Sequence, residues 1–457
     1  MKQMTNLKPD FGIFSSNVLT SNGLLESTIL IKNGVISKII KGKIFSEEFP
    51  ITYLNDLVLM PGIIDSHVHI NEPGRTDWEG FETITKAAIA GGITTLVDMP
   101  LNASPVTTSK NAFEVKLNSS KGKLYCNCGF WGGIVPDNIE LLDELIQAGV
   151  LGIKAFLTHS GIDDFPNVNL NELKKGLKIL KKYQIPLLVH AELDEQHDDL
   201  QHFENEPTNY QKYLKSRPNS WEDKAIEMAI KLCEEFDTPV HIVHLSSANM
   251  LDEIRKAKTK GLKLTVETCP QYLYFSSENI PNSNTLFKCA PPIREKINND
   301  KLWDALKDGT IDFIVTDHSP STPNLKEIKS GNLKKAWGGI LSIQFSLPII
   351  WTEAKKRGFS IEEVSKLMSF NVAKFLGIEN SKGLIKENFD ADFIIFNPSE
   401  SFIVNEEEIH FKHKITPYLG EKLFGVVKDT FINGKKVFEN GNFVSLPIGK
   451  IILHKTE

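Results

Sequence analysis

The chain has 457 residues, 52 basic and 58 acidic side chains, a formal net charge of −6, and 41% apolar against 24% charged residues. That length allows one large barrel plus a smaller module, in the mixture of an ordinary globular protein with a core of normal size. The mild acidity leaves no basic footprint for nucleic acid, and no apolar run is long enough to span a bilayer.

In chain order, the start, Met1 to Asp10, is polar and lacks the apolar stretch of a secretory signal. Short strands are predicted next, over Phe11–Val18, Thr28–Lys32 and Val35–Ile40, with an Asn33-Gly34 turn between the last two. From residue 58 the pattern changes. Apolar strand candidates, Val58–Ile64, Thr94–Met99, Leu124–Phe130, Leu151–Phe156, Pro186–Val189, Pro239–Val243, Leu262–Thr268 and Phe313–Thr316, are separated mostly by helix-like stretches. Those stretches include Trp78–Ala90, Asp137–Ala148, Asn171–Tyr183, Trp221–Glu235 and Ala248–Thr259, with Asp137 a candidate cap of its helix. The far end returns to strands, at Ala391–Phe396, Val426–Asn433 and Lys436–Glu439, around a second turn at Asn433-Gly434. Strand–helix alternation over about 260 residues predicts an α/β fold, a parallel (β/α)8 TIM-like barrel spanning 58–379. The two β-rich ends, 1–57 and 380–457, are expected to build one small β-sandwich module. A doubly wound sheet is the alternative, but its glycine-rich nucleotide turn is absent. The five cysteines, Cys126, Cys128, Cys233, Cys269 and Cys289, are odd in number and scattered, which suits a reducing, cytoplasmic compartment. Cys126 and Cys128 share a strand face, yet no second pair follows at zinc-finger spacing, so they read as small buried residues.

The chemistry-bearing residues fall where these strands end. The first ends in Asp65-Ser66-His67-Val68-His69, the fifth at His190, the sixth at His244 and the eighth at Asp317, while Lys154 lies on the fourth. In a barrel of this kind the C-terminal strand ends converge on one mouth. His67 and His69, two apart on a strand, face one side and can share a metal. Four histidines and a carboxylate suit zinc or a similar divalent ion, and five ligands exceed the needs of one tetrahedral zinc, which points to two metals. An ammonium at Lys154 would repel both.

These residues resemble the amidohydrolase superfamily, and within it the cyclic amidase branch of dihydroorotases, dihydropyrimidinases/hydantoinases and allantoinases. The resemblance covers nearly the whole chain, including the split β module. It implies a binuclear centre, with zinc expected, held by His67, His69, Lys154, His190, His244 and Asp317. Lys154 would be converted by carbon dioxide to an anionic carbamate (N6-carboxylysine). Several segments are most similar to the allantoinase family. They are His67 to Arg75, Asp98 to Asn102, Phe156 to Pro166, Glu267 to Leu273, Lys288 to Arg294, Thr316 to Pro320 and Ala336 to Ile340. Dihydroorotase-like sequences usually place an arginine two residues after the second histidine, to grip a substrate carboxylate. Asn71 stands there instead, a better match for a neutral ureido group, although Arg75 is near enough to substitute.

The implied reaction is hydrolysis of the hydantoin ring amide of allantoin to allantoate, in purine (ureide) degradation. A metal-bridging hydroxide would attack, and Asp317 would take its proton and pass it to the leaving nitrogen. Asn102, Ser319, the backbone around Cys289, Arg75 and His318 are candidate substrate contacts, and His318 could equally pack at the rim. A hydantoinase, dihydropyrimidinase or dihydroorotase-like activity is the alternative, then a non-catalytic scaffold. A homotetramer is expected, with a small molecule as partner and neither nucleic acid nor membrane. His241, at odd spacing from His244, should pack or face solvent. His159 should sit on a rim loop, and His197 and His202 should be solvated. Arg294 reads as a structural ion pair ahead of a substrate contact. Trp337 to Gly339 either line the pocket or shape the backbone.

Overall fold

The computed structural model describes residues 8–455, so most of the polar start, residues 1–7, lies outside the described residues. The two ends of the chain form one nine-stranded sheet, in which eight strands follow a continuous hydrogen-bonded path and Ile51–Tyr53 pairs off that path with Phe11–Thr20. From the N-terminal end come Phe11–Thr20, Gly23–Lys32 and Val35–Lys41, paired antiparallel, and from the C-terminal end come Phe393–Ile403, Lys422–Ile432 and Lys435–Glu439. The strand that joins the two groups is Val58–Pro61, parallel to Phe11–Thr20 and antiparallel to Phe393–Ile403. The two Asn-Gly turns meet: Ala391 N donates to Gly34 O at 2.8 Å and Gly434 N to Ala391 O at 2.9 Å. Gly34 has φ +78°, and a Cβ there would lie 2.7 Å from Asn433 O, so both torsion and space require glycine.

The run expected as one barrel strand, Val58–Ile64, is divided. Val58–Pro61 belongs to the terminal sheet, and Ile63–Val68 starts the barrel. Gly62 sits between them, where a Cβ would fall 2.2 Å from the Thr94 side chain. Both halves are fully buried, so hydrophobicity alone carries no mark of the crossing.

The parallel strands Ile63–Val68, Ile93–Asp98 and Asn127–Phe130 form one sheet. Gly132–Gly133, Ile153–Phe156, Leu187–His190, Val240–Ile242, Leu264–Thr268 and Phe313–Ile314 form the next. Trp131 N to Asp98 O and Leu151 N to Phe130 O, each 2.9 Å, carry the hydrogen bonding from one sheet towards the other. A parallel bridge between Val68 and His318, with His69 N donating to His318 O at 2.9 Å, ties the last strand region back to the first. Together these make an α/β TIM-like barrel beside the terminal β module.

Helices cover the barrel at Phe81–Ala90, Leu142–Gln147, Leu170–Tyr183, Asn219–Phe236 and Leu251–Thr259. Leu170–Tyr183 starts with a capping box, in which Asn169 accepts from the Glu172 backbone and Glu172 reaches back to Asn169. Asp137 is not the cap expected of it. A 3-10 turn, Ile139–Leu141, precedes its helix, and the neighbouring Asn138 instead accepts from Val135 N at 2.8 Å. No helix among the described residues is long and apolar enough to cross a membrane.

Candidate metal centre and active site

Strand alternation puts His67 and His69 on the same side of Ile63–Val68 and its extension. Each ring is held from behind by one nitrogen. His67 Nδ1 contacts the Glu267 carboxylate, and His69 Nδ1 lies 2.7 Å from Leu101 O. Their Nε2 atoms then point to one carboxylate oxygen, Asp317 Oδ1, at 3.2 and 3.4 Å. Two ligands of a tetrahedral ion at about 2.0–2.1 Å stand about 3.3 Å apart, so these three atoms already have the spacing of a coordination polyhedron. His190 Nδ1 and His244 Nε2 face each other at 2.9 Å, next to the first group, with the His67 and His244 ring centroids 5.4 Å apart. The strand ends that carry His244 and Asp317 turn sharply, with φ of +38° and +47° at these two residues. Left-handed torsions at non-glycine residues are uncommon and concentrate at functional sites.

Burial governs the charge states. It pushes the His67, His190 and His244 imidazoles below the ordinary histidine value, His244 furthest. Neutral rings with free lone pairs are what a metal needs. Burial alone would raise the Asp317 carboxyl, but the neighbouring His67 and His69 hold it below the ordinary aspartate value. Lys154 is 1% exposed, its Nζ has no hydrogen-bond partner, and burial brings its pKa down to about 7. All six side chains, His67, His69, Lys154, His190, His244 and Asp317, line one cavity of about 360 Å³.

The structure divides the remaining candidates. Asn102 and Ser319 line that cavity, and Ser319 Oγ donates to Asp317 Oδ1 at 3.1 Å. Arg75 is outside the lining and donates to the Asn102 carbonyl, so it holds the wall rather than facing the cavity. Asn71 is fully buried and donates to Pro320 O at 3.1 Å. Cys289 is buried behind the wall that its neighbours Lys288 and Ala290 form. The substrate-contact option for His318 is corrected: the ring is buried outside the lining, and its Nδ1 accepts from Ser342 N and Ile343 N at 3.0 and 3.3 Å. His241 is packed, with Nδ1 2.8 Å from Thr265 Oγ1 and Nε2 2.9 Å from Glu267. His159 is on the rim, and Trp337, Gly338 and Gly339 line the cavity. Gly339 also answers a backbone need, since it has φ +111° and a Cβ would meet Ser319 at 2.4 Å. His202 is exposed, whereas His197 is half-buried with its ring edge against Trp221, so solvation does not describe it. Cys126 and Cys128 are both buried.

Residues 58–437 match the amidohydrolase family. The chain belongs to that family. This amidohydrolase is 45% identical to an allantoinase from Arabidopsis thaliana, over 98% of this chain and 91% of the plant protein. It is 40% identical to an allantoinase from Saccharomyces cerevisiae, over 92% and 93% of the two chains. Among solved structures, the L-hydantoinase (dihydropyrimidinase) from Arthrobacter aurescens superposes with a TM-score of 0.92 at 27% identity, covering 98% of this chain and 100% of that one.

Three charged residues with no role assigned from sequence brace the amidohydrolase site. Glu192, two residues after His190, lies 3.0 Å from His190 Nε2, and Arg217 grips Glu192 at 2.5 and 3.1 Å. Glu267 lies behind His67. The available signal was a carboxylate just beyond, or within, an otherwise apolar strand. Arg217, just past the end of the helix Tyr210–Ser216, left none.

Arg294 is away from the cavity lining and forms a buried pair with Glu222, Nη2 to Oε2 at 2.6 Å and Nε to Oε2 at 3.1 Å. Glu222 Oε1 also accepts from Ser246 N and Ser247 N, just beyond His244. Removing one partner of a buried pair strands the other charge, at a cost of about 3–5 kcal/mol. Arg294→Met is therefore expected to lower unfolding free energy by about 3–5 kcal/mol with KM little changed. Denaturant unfolding and steady-state kinetics check this, and a large rise in KM at unchanged stability would return Arg294 to substrate binding.

Proposed function

We propose that this chain is an allantoinase: a hydrolase that opens the hydantoin ring of allantoin at its amide bond to give allantoate, a step of purine degradation. The observation that carries the reaction class is the convergence of six ligand-type side chains on one cavity, three of them with ion-ligand spacing. The substrate rests on extended similarity to proteins named allantoinase. Asn71 is buried outside the lining, so what favours a neutral ring is the absence of an arginine at that position.

His67, His69 and Asp317 would hold one divalent ion and His190 and His244 a second, both zinc, with Lys154, as a carbamate, supplying an anionic oxygen ligand. Bound ions supply an activated water near neutral pH and polarise the ring carbonyl. The chain's own part begins with the neutral imidazoles, whose lone pairs point inward. Asp317, anionic and at the floor of the cavity, accepts a proton and delivers it to the departing ring nitrogen. Ser319 steadies the same carboxylate, and Asn102 offers an amide to the ring from the wall. A carbamate at Lys154 would replace a buried amine that has no hydrogen-bond partner with an anionic oxygen ligand beside the four histidines.

A panel of allantoin, dihydroorotate, dihydrouracil and hydantoin at equal enzyme tests the substrate. Allantoin should be the fastest by kcat/KM. Fast turnover of dihydrouracil with allantoin inert would reassign the chain to the dihydropyrimidinases. Elemental analysis should find two divalent ions per chain, and dialysis against a chelator should abolish turnover and lower Tm, because an ion bound only by the folded state stabilises it by mass action. We also propose a cytoplasmic homotetramer, to be checked by light scattering and cell fractionation.

A further inference from the structure

The two histidine groups are braced through opposite ring nitrogens. His67 meets Glu267 through Nδ1, which leaves Nε2 facing Asp317. His190 meets Glu192 through Nε2, which leaves Nδ1 facing His244. A neutral imidazole has one N–H and one lone pair, and a carboxylate accepts only. Each glutamate thus dictates which nitrogen keeps the proton, and it does so differently at the two positions.

Neither carboxylate is free to turn. Glu267 is fully buried and is also met by His241 Nε2 at 2.9 Å and by His244 N at 3.2 Å. The only proposed ligand ring it meets is that of His67, and its contact at His244 is to the backbone alone. Glu192 is likewise fully buried and is clamped through both oxygens by Arg217, whose guanidinium lies over Trp221 and lines the cavity.

The geometry points to Glu267 and Glu192 as positioning residues that set opposite tautomers at His67 and His190, each preorganising one of two separate metal positions. This rests on the binuclear reading above, and it divides the site into halves that can be weakened one at a time. Loss of such a partner typically costs 10–100-fold in metal affinity.

The test is titration of metal-stripped full-length protein with cobalt(II), read by visible absorption and by bound metal per chain. Glu267→Gln is expected to weaken one of two binding steps about 10–100-fold and to shift the absorption of that step alone, and Glu192→Gln to do the same to the other step. Arg217→Met, which keeps Glu192 but frees it to turn, should weaken the same step as Glu192→Gln by a smaller factor. If Glu267→Gln does not fold, His241→Asn, which releases the carboxylate from behind, should weaken the Glu267 step. Folded variants that bind both cobalt ions with wild-type affinity and spectrum would overturn the assignment, as would equal weakening of both steps by each variant. A wild-type protein that binds no cobalt would instead overturn the binuclear reading on which the assignment stands.

Discussion

Lys154→Ala is expected to reduce kcat by about four orders of magnitude, equivalent to about 5.4 kcal/mol of transition-state stabilisation. Lys154 lines the cavity with the four ligand-type histidines and Asp317, and its Nζ has no hydrogen-bond partner, so as a bare ammonium it would be a buried charge without a direct partner. Its neutral amine can add to carbon dioxide, forming an N–C bond and releasing one proton, and the product is an anionic oxygen ligand. Alanine removes that ligand and leaves room for a short carboxylate in its place. The variant should fold, bind less metal, and regain activity in millimolar acetate or propionate. The wild-type chain should carry the added mass of carbon dioxide under non-denaturing conditions. An alanine variant with wild-type turnover, or a fully active wild-type chain without the added mass, would remove Lys154 from the centre.

Asp317→Asn is the second large effect, an expected fall in kcat of about 10²–10⁴-fold with KM within about threefold. The substitution keeps the shape but removes the proton acceptor. Asp317 Oδ1 lies 3.2 Å from His67 Nε2, 3.4 Å from His69 Nε2 and 3.1 Å from Ser319 Oγ, so its position is shared by three partners. Those histidines hold the carboxyl below the ordinary aspartate value, although burial alone would raise it. Ser319→Ala, which removes only a donor to that oxygen, should cost far less, about 0.5–1.5 kcal/mol of its stabilisation. Steady-state kinetics on the two variants separate the roles: if kcat of the asparagine variant stayed within tenfold of wild type, another residue would carry the proton.

The strand-end histidines and Asp317 were legible because their positions are local. A polar residue closing an apolar run is visible in one dimension, and the alternation of strands and helices says which ends converge. His67 and His69 sharing a face follows from the two-residue period of a strand. The strand from Val58 was legible as apolar but not as two strands, because burial in a sheet and burial in a barrel leave the same hydrophobic run. Only the contact between Gly62 and Thr94, far apart in sequence, marks the crossing.

Sequence by itself thus determined which residue types supply the candidate centre, since ligand chemistry belongs to the side chain and spacing to the local backbone. Tertiary structure alone decided which nitrogen of each ring faces inward, that His318 and Cys289 stand behind the wall, and that Arg294 serves Glu222. Those outcomes depend on hydrogen bonds between segments tens to hundreds of residues apart, such as Glu267 with His67 and Arg217 with Glu192. No local pattern records such pairings, because burial forces every polar group to find a partner without dictating where in the chain that partner lies.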